Sequence, residues 1–239
     1  MRIVWSIKQK LIETWNQIRN QNGISIYMFH RVSREICSTH ENISISLEAF
    51  REFIERKRKQ EWNFLDMEKL KAGDNYCEKK AVITFDDMFE DAYENAIPIL
   101  REYGIPYTVF IAPTLVGTPG YISEEQIQAL KEDKLCTIGA HSISHKIFRK
   151  LSLTEKKKEI ALCENEKMLG CTISYFAYPY GSIYACDKKS QLLAKEEYKL
   201  GFATLNFRLT QQYMKRNFFF LPRINVNNAV SYTHLRAHE

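Results

Sequence analysis

The sequence predicts a single α/β domain whose parallel strands curl into a closed barrel. Apolar runs of strand length alternate with helical periodicities along most of the 239 residues, which is the pattern of a parallel sheet. About seven such strands suit a closed barrel better than an open doubly wound sheet. His30, Asp86, Asp87, His141 and Tyr180 all fall just past the C-terminal end of a predicted strand. In a (β/α) barrel that is the face where active sites lie.

Residues 3 to 18 carry Ile3, Val4, Ile7, Leu11, Trp15 and Ile18 at helical spacing. After the turn at Asn22-Gly23, Ile24–Phe29 reads as a strand ending at His30-Arg31. Ser46 caps a helix whose inner face is Phe50, Phe53 and Ile54. Strand Ala81–Phe85 leads to helix Phe89–Tyr103, closed by Gly104, and then to strand Tyr107–Ile111. Ser123 with Gln126 forms a capping box for helix Glu124–Glu132, followed by strand Cys136–Ala140. Ser152 with Glu155 forms a second capping box, for a helix that closes at Gly170. Strand Ser174–Ala177, helix Lys188–Tyr198, strand Phe202–Leu205 and an extended piece Phe218–Val226 complete the alternation.

Composition is ordinary for a folded protein, at 45% hydrophobic and 26% charged residues. The net charge of +5 is concentrated at the start, where Arg2, Lys8, Lys10 and Arg19 stand against Glu13 alone. No basic stripe with interleaved aromatics appears elsewhere, so nucleic acid is not expected as a partner. The six cysteines (Cys37, Cys77, Cys136, Cys163, Cys171 and Cys186) have no C-x-x-C spacing and read as reduced thiols. With no signal-peptide pattern and no apolar run of membrane-spanning length, a cytoplasmic location is expected. The helix in residues 1–20 is most simply packed on its own domain, whereas its Trp and Lys/Arg content also suits peripheral contact with an anionic membrane. The main domain covers residues 21–228. Residues 229–239 lack periodicity and resemble a translated vector scar, so His234 and His238 are set aside as ligands.

The chemistry lies in Asp86-Asp87 and in His141-x-x-x-His145. Asp87, His141 and His145 offer one hard oxygen and two imidazoles, a facial ligand set that leaves positions open on a catalytic metal. Adjacent carboxylates at a strand end point in different directions, so one can bind metal while the other takes a proton from water. A helix cap needs only one Asp, and two after a buried strand exceed that need.

The run Thr84-Phe85-Asp86-Asp87, then His141-Ser142-x-x-His145, then Tyr178-Pro179-Tyr180-Gly181 resembles the polysaccharide deacetylases of the NodB-homology type, carbohydrate esterase family 4. The resemblance covers roughly residues 24–226. It implies a distorted (β/α)7 barrel and removal of acetyl groups from N-acetylated sugars of a polysaccharide or its precursor, an N-acetylated glycan being the substrate. It further implies Asp86 as general base and Asp87, His141 and His145 as ligands of one divalent metal. Zn2+ leads Co2+, Ni2+, Fe2+ and Mn2+ as the expected ion. The backbone N–H of Tyr180 is implied as an oxyanion donor.

Three positions depart from the family pattern. Met88 stands where Gly usually follows the Asp pair, and is expected to narrow the cleft. Ala177 stands where an Arg usually orients the catalytic Asp, and Arg223 is the candidate substitute, its alternative being an ordinary surface ion pair. The late catalytic-acid His is missing before the tail. His30, in a segment similar to the Tyr-His pair near the N-terminus of poly-N-acetylglucosamine deacetylases, is the candidate replacement. Two rival functions follow: a catalytically impaired carbohydrate-binding homologue, motivated by these departures, and a metal amidase acting on a non-sugar amide. Trp62, Tyr107, Tyr121 and Tyr184 are candidates for stacking on sugar rings, with core packing as their simpler role.

Overall fold

The computed structural model describes residues 2–19, 22–70 and 79–228. Cys77 and the expected foreign tail, 229–239, lie outside the described residues. Helix α1 (Arg2–Arg19) precedes strand β1 (Ser25–Phe29), after which β2 (Arg31–Ser33) pairs with β3 (Ser44–Ser46) in a small separate sheet. The Ser46 hydroxyl accepts from the Ala49 N–H and caps α2 (Leu47–Lys59), whose Phe50, Phe53 and Ile54 are buried as the periodicity predicts. Next come β4 (Asn63–Phe64), β5 (Lys80–Asp86), α3 (Glu90–Glu102) and β6 (Tyr107–Ile111). They are followed by α4 (Glu124–Glu132), β7 (Cys136–Ala140), α5 (Leu153–Ile160), α6 (Leu162–Leu169) and β8 (Tyr175–Ala177). The chain continues through α7 (Lys188–Glu197), β9 (Leu200–Phe202), α8 (Gln211–Arg216) and β10 (Ile224–Asn225).

All pairings in the main sheet are parallel, in the order β10-β1-β5-β6-β7-β8-β9, with β4 beside the start of β5. The segment around β10 closes the ring. Leu221 exchanges backbone hydrogen bonds with Gly201 of β9 and with Ala203 just after it, and the Leu205 N–H donates to the Arg223 carbonyl. The next two residues, Ile224 and Asn225, pair with Tyr27 and Met28 of β1. The sheet is thus a seven-strand distorted barrel in a single domain.

Alternation along each strand sorts side chains between two apolar layers. Ala81, Ile83 and Phe85 of β5 face the helices, while Val82 joins Ile26, Phe110, Ala177, Phe202 and Leu221 inside the ring. Thr84 and Asp86 continue the inward face, and the Thr84 hydroxyl is satisfied by the Tyr27 carbonyl at 2.9 Å. Gly139 of β7 sits opposite Phe110, and a Cβ there would lie 2.5 Å from the Phe110 ring. Only glycine leaves room for the Phe110 ring inside the barrel.

Several elements differ from expectation. The helix expected from Ser152 to Gly170 is broken at Ala161, where φ is −46° and ψ 112°. The Glu159 carbonyl accepts from the Ile143 N–H instead of continuing the helix ladder, so a tertiary partner interrupts local propensity. The strand expected at Phe202–Leu205 begins earlier, at Leu200, and α8 was not anticipated.

Candidate active site

Asp86 is the last inward residue of β5 and is only 2% exposed. Arg223, on the segment that closes the barrel, is fully buried and grips both Asp86 oxygens, Nη1 to Oδ1 at 2.5 Å and Nη2 to Oδ2 at 2.7 Å. Its Nε donates to the Ala203 carbonyl and its guanidinium lies 5.2 Å from the centre of the Phe110 ring. Burial alone would raise the Asp86 pKa, but the Arg223 charge and fork, with His141 nearby, outweigh it and hold the carboxyl at about 2. The pair is therefore an ionised carboxylate fixed in orientation by two parallel charge-assisted bonds. Arg223 is not a surface ion pair.

Asp87 follows the last strand residue with φ +65°. Its Oδ1 is buried without a hydrogen-bond partner and lies 3.1 Å from His145 Nε2 and 3.7 Å from His141 Nε2. Burial pushes the Asp87 pKa up to about 6. His141 follows β7, and its Nδ1 donates to the Ala177 carbonyl at 2.8 Å, which leaves the Nε2 lone pair facing Asp87. Burial lowers the His141 pKa to about 3 and also lowers that of His145, so both imidazoles are neutral and able to ligate. Ligand atoms of Asp87, His141 and His145 lie within 4.8 Å of one another. An orphaned carboxylate oxygen facing two neutral imidazoles fits a divalent cation, and the three form a candidate metal site.

The other two predicted residues border this cluster. His30 follows β1 with its Nδ1 buried and unpartnered. Burial depresses its pKa, and the Asp86 and Asp87 charges, close enough to act on it, oppose that shift. Tyr180 follows β8 at φ +62°, with its ring 4.9 Å from that of His145 and its side chain largely exposed. Its backbone N–H has no hydrogen-bond partner among the described residues. All seven predicted site residues thus gather at one end of the barrel.

Met88 corrects the expectation of a narrowed cleft. It is fully buried in the core against the helices and does not enter the cleft. Its φ of +52° explains the family's preference for Gly, since a residue with a Cβ carries about 1–2 kcal/mol of strain there. Losing a buried Met side chain costs about 2–5 kcal/mol, which exceeds the strain relieved. Met88→Gly is therefore expected to lower stability by roughly 1–3 kcal/mol, measured by urea denaturation. A stabilised variant would show that strain dominates.

Of the aromatic candidates, Tyr107 is core and Trp62 packs on Tyr27 under the Lys57 ammonium. Tyr121 is at the rim, stacked on Phe89 at 4.7 Å, with burial and then the Asp87 charge raising its pKa. Three supporting residues escaped sequence reasoning. Buried Glu159 accepts from the Ser144 N–H at 2.8 Å and hydroxyl at 2.5 Å, which fixes the turn between the two histidines. Arg149 donates to the carbonyls of Ile183, Tyr184 and Cys186 and holds the loop after Tyr180. Arg31 pairs with Asp91 at 2.8 Å and lies 5.0 Å from the Phe89 ring centre. Glu159 gave one signal, a carboxylate on the inner face of a capped helix.

A parallel barrel with a paired Asp, a second Asp and two imidazoles at its strand ends belongs to the architecture of carbohydrate deacetylases. The polysaccharide deacetylase family profile matches residues 73–201, just over half the chain, and the chain belongs to that family. It is 28% identical over 236 residues to a poly-β-1,6-N-acetyl-D-glucosamine N-deacetylase of Staphylococcus aureus, covering 90% of this chain and 77% of that protein. In fold it is similar to the deacetylase PplD of Streptococcus pyogenes, solved in complex with acetate (TM-score 0.75, 22% identity, 91% of this chain and 98% of that one). The same holds for IcaB from Ammonifex degensii (TM-score 0.72, 22% identity, 89% and 95%).

Proposed function

We propose that this chain is a metal-dependent hydrolase that removes acetyl groups from the N-acetylated sugars of a polysaccharide or its precursor. The observation that carries this reading is the separation of the two aspartates: Asp86 is engaged by Arg223, while Asp87 faces His141 and His145. A divalent ion held by Asp87, His141 and His145 would polarise the acetyl carbonyl and lower the pKa of the attacking water. Asp86, ionised because Arg223 keeps it so, accepts the proton of that water. The Tyr180 N–H donates to the oxygen that becomes negative as the carbonyl is attacked. His30 delivers a proton to the departing nitrogen, and the products are acetate and a free amino sugar.

The substrate named for the S. aureus relative makes a β-1,6-linked N-acetylglucosamine oligomer the first to test. Acetate release is expected to stop on treatment with EDTA and to return when Zn2+, Co2+, Ni2+, Fe2+ or Mn2+ is restored. Activity that survives chelation would end the metal-dependent reading, and turnover of small non-sugar amides alone would favour an amidase. His30→Ala is expected to slow acetate release by about 10²–10⁴-fold, whereas a near-normal rate would make His30 structural. The catalytically impaired alternative loses part of its motivation, because Arg223 makes the contact for which Ala177 has no side chain.

A further inference from the structure

Helix α1 docks on the barrel with its polar side. The Gln9 side chain donates to the Thr204 carbonyl and accepts from the Ile183 N–H, both at 3.2 Å. Glu13 Oε1 accepts from the Asn206 N–H at 3.1 Å, Gln17 donates to the Asn206 carbonyl at 2.5 Å, and Ile12 packs against the core. Thr204 and Asn206 follow β9 and Ile183 follows β8, so the helix lies at the C-terminal end of the ring. Ile183 belongs to the same loop as Tyr180, which places α1 beside the mouth of the candidate site.

The opposite side of the helix carries Ile7, Leu11 and Trp15, which are 55%, 67% and 62% exposed. Spaced four residues apart, they form a single stripe at about 3.6 residues per turn. Lys8 and Lys10, both exposed, fall on the two flanks of that stripe. The helix's one acid, Glu13, is turned towards Asn206 on the docked side. Single exposed apolar residues are ordinary, but three in register between two lysines form an interfacial surface. A second copy paired through this face would bring the lysine flanks of two identical helices together, a like-charge arrangement. No helix among the described residues is long and apolar enough to cross a membrane, so the surface suits lying on lipid.

We propose that the Ile7–Leu11–Trp15 stripe, flanked by Lys8 and Lys10, docks the protein onto an anionic lipid surface. Apolar side chains enter the boundary between headgroups and acyl chains, and the lysines meet the negative surface potential. The mouth of the barrel is thereby held close to the membrane. What that proximity delivers to the site depends on the proposed deacetylation, but the docking does not.

The test is co-sedimentation of the full chain with phosphatidylcholine vesicles, with and without phosphatidylglycerol, over a range of salt. Binding is expected to be stronger on the anionic vesicles and to weaken as salt rises. An Ile7→Gln, Leu11→Gln, Trp15→Gln variant is expected to bind at least about tenfold more weakly, from the apolar area it withholds from lipid. Lys8→Gln with Lys10→Gln should remove most of the salt dependence and of the preference for anionic vesicles. Acetate release from a short soluble oligomer serves as a folding control and is expected to be unchanged in these variants. No binding by the parent chain, or equal binding by parent and triple variant, would overturn the proposal. So would a parent dimer in sedimentation velocity that the triple variant abolishes, since the stripe would then be a self-association surface.

Discussion

Replacing Arg223 with Met is expected to lower stability by about 3–5 kcal/mol at neutral pH, because it strands the Asp86 carboxylate in the barrel interior. Methionine restores much of the volume, so the loss comes from the uncompensated charge and not from a cavity. Burial, which raises the Asp86 pKa, is unchanged in the variant, while the guanidinium that holds it at about 2 is gone. The folded-state value then moves above the ordinary 3.8 of an aspartate. In the parent, the depressed pKa gives stability that is present above 3.8 and lost as pH falls towards 2. In the variant the sign reverses, so stability is recovered as the medium becomes acidic and the gap to the parent closes. The same shift moves the acid limb of the pH–rate profile to higher pH, since on the proposed mechanism Asp86 must be ionised to accept a proton. Urea denaturation at several pH values and a pH profile of kcat/KM measure both effects. A limb that stays in place would show that Arg223 does not set the ionisation of Asp86.

On the proposed mechanism, Asp86→Asn is expected to reduce acetate release by at least about 10²–10⁴-fold while divalent metal binding at Asp87, His141 and His145 is retained. The amide cannot take a proton from water at any working pH. Both Asp86 oxygens face Arg223, and Oδ2 is 3.8 Å from His141 Nε2, whereas the unpartnered oxygen nearest His145 belongs to Asp87. Metal content by mass spectrometry of the folded protein, read beside the rate, separates the two aspartates. Equal loss of metal and activity would refute the division of roles. The variant also leaves Arg223 without a full counter-charge, so combining Asp86→Asn with Arg223→Met is expected to recover part of the stability that each change loses alone.

Local features of this fold are legible in the sequence. Ser46, Ser123 with Gln126, and Ser152 with Glu155 cap the helices they were expected to cap, because donor and acceptor lie within one turn. The ends of β6, β7 and α4 also fall where periodicity places them. Features that depend on distant partners are not legible. Arg223 stands out as a lone Arg in an apolar strand, but its partner is 137 residues away in the chain. The break at Ala161 depends on Ile143, and the helix pattern through Leu169 gives no sign of it. For α1, periodicity shows a polar and an apolar side without showing which one meets the barrel. The polar side does, because backbone groups of Ile183, Thr204 and Asn206 face it. Backbone conformation at the site is equally hidden. Asp87, Met88, Ser142, His145 and Tyr180 all have positive φ, an arrangement that only the surrounding packing can impose.

The segment that closes the barrel is also the one that carries Arg223, and this ties the timing of biosynthesis to the state of the site. A ribosome makes Asp86, Asp87, His141 and His145 long before it reaches residue 223. Until then the ring is open between β9 and β1, and Asp86 has no guanidinium to hold it in place. A nascent chain that has emerged only as far as α8 carries the histidines and both aspartates but not the fork that orients Asp86. On the proposed mechanism, the site is complete only when the last strand is laid down.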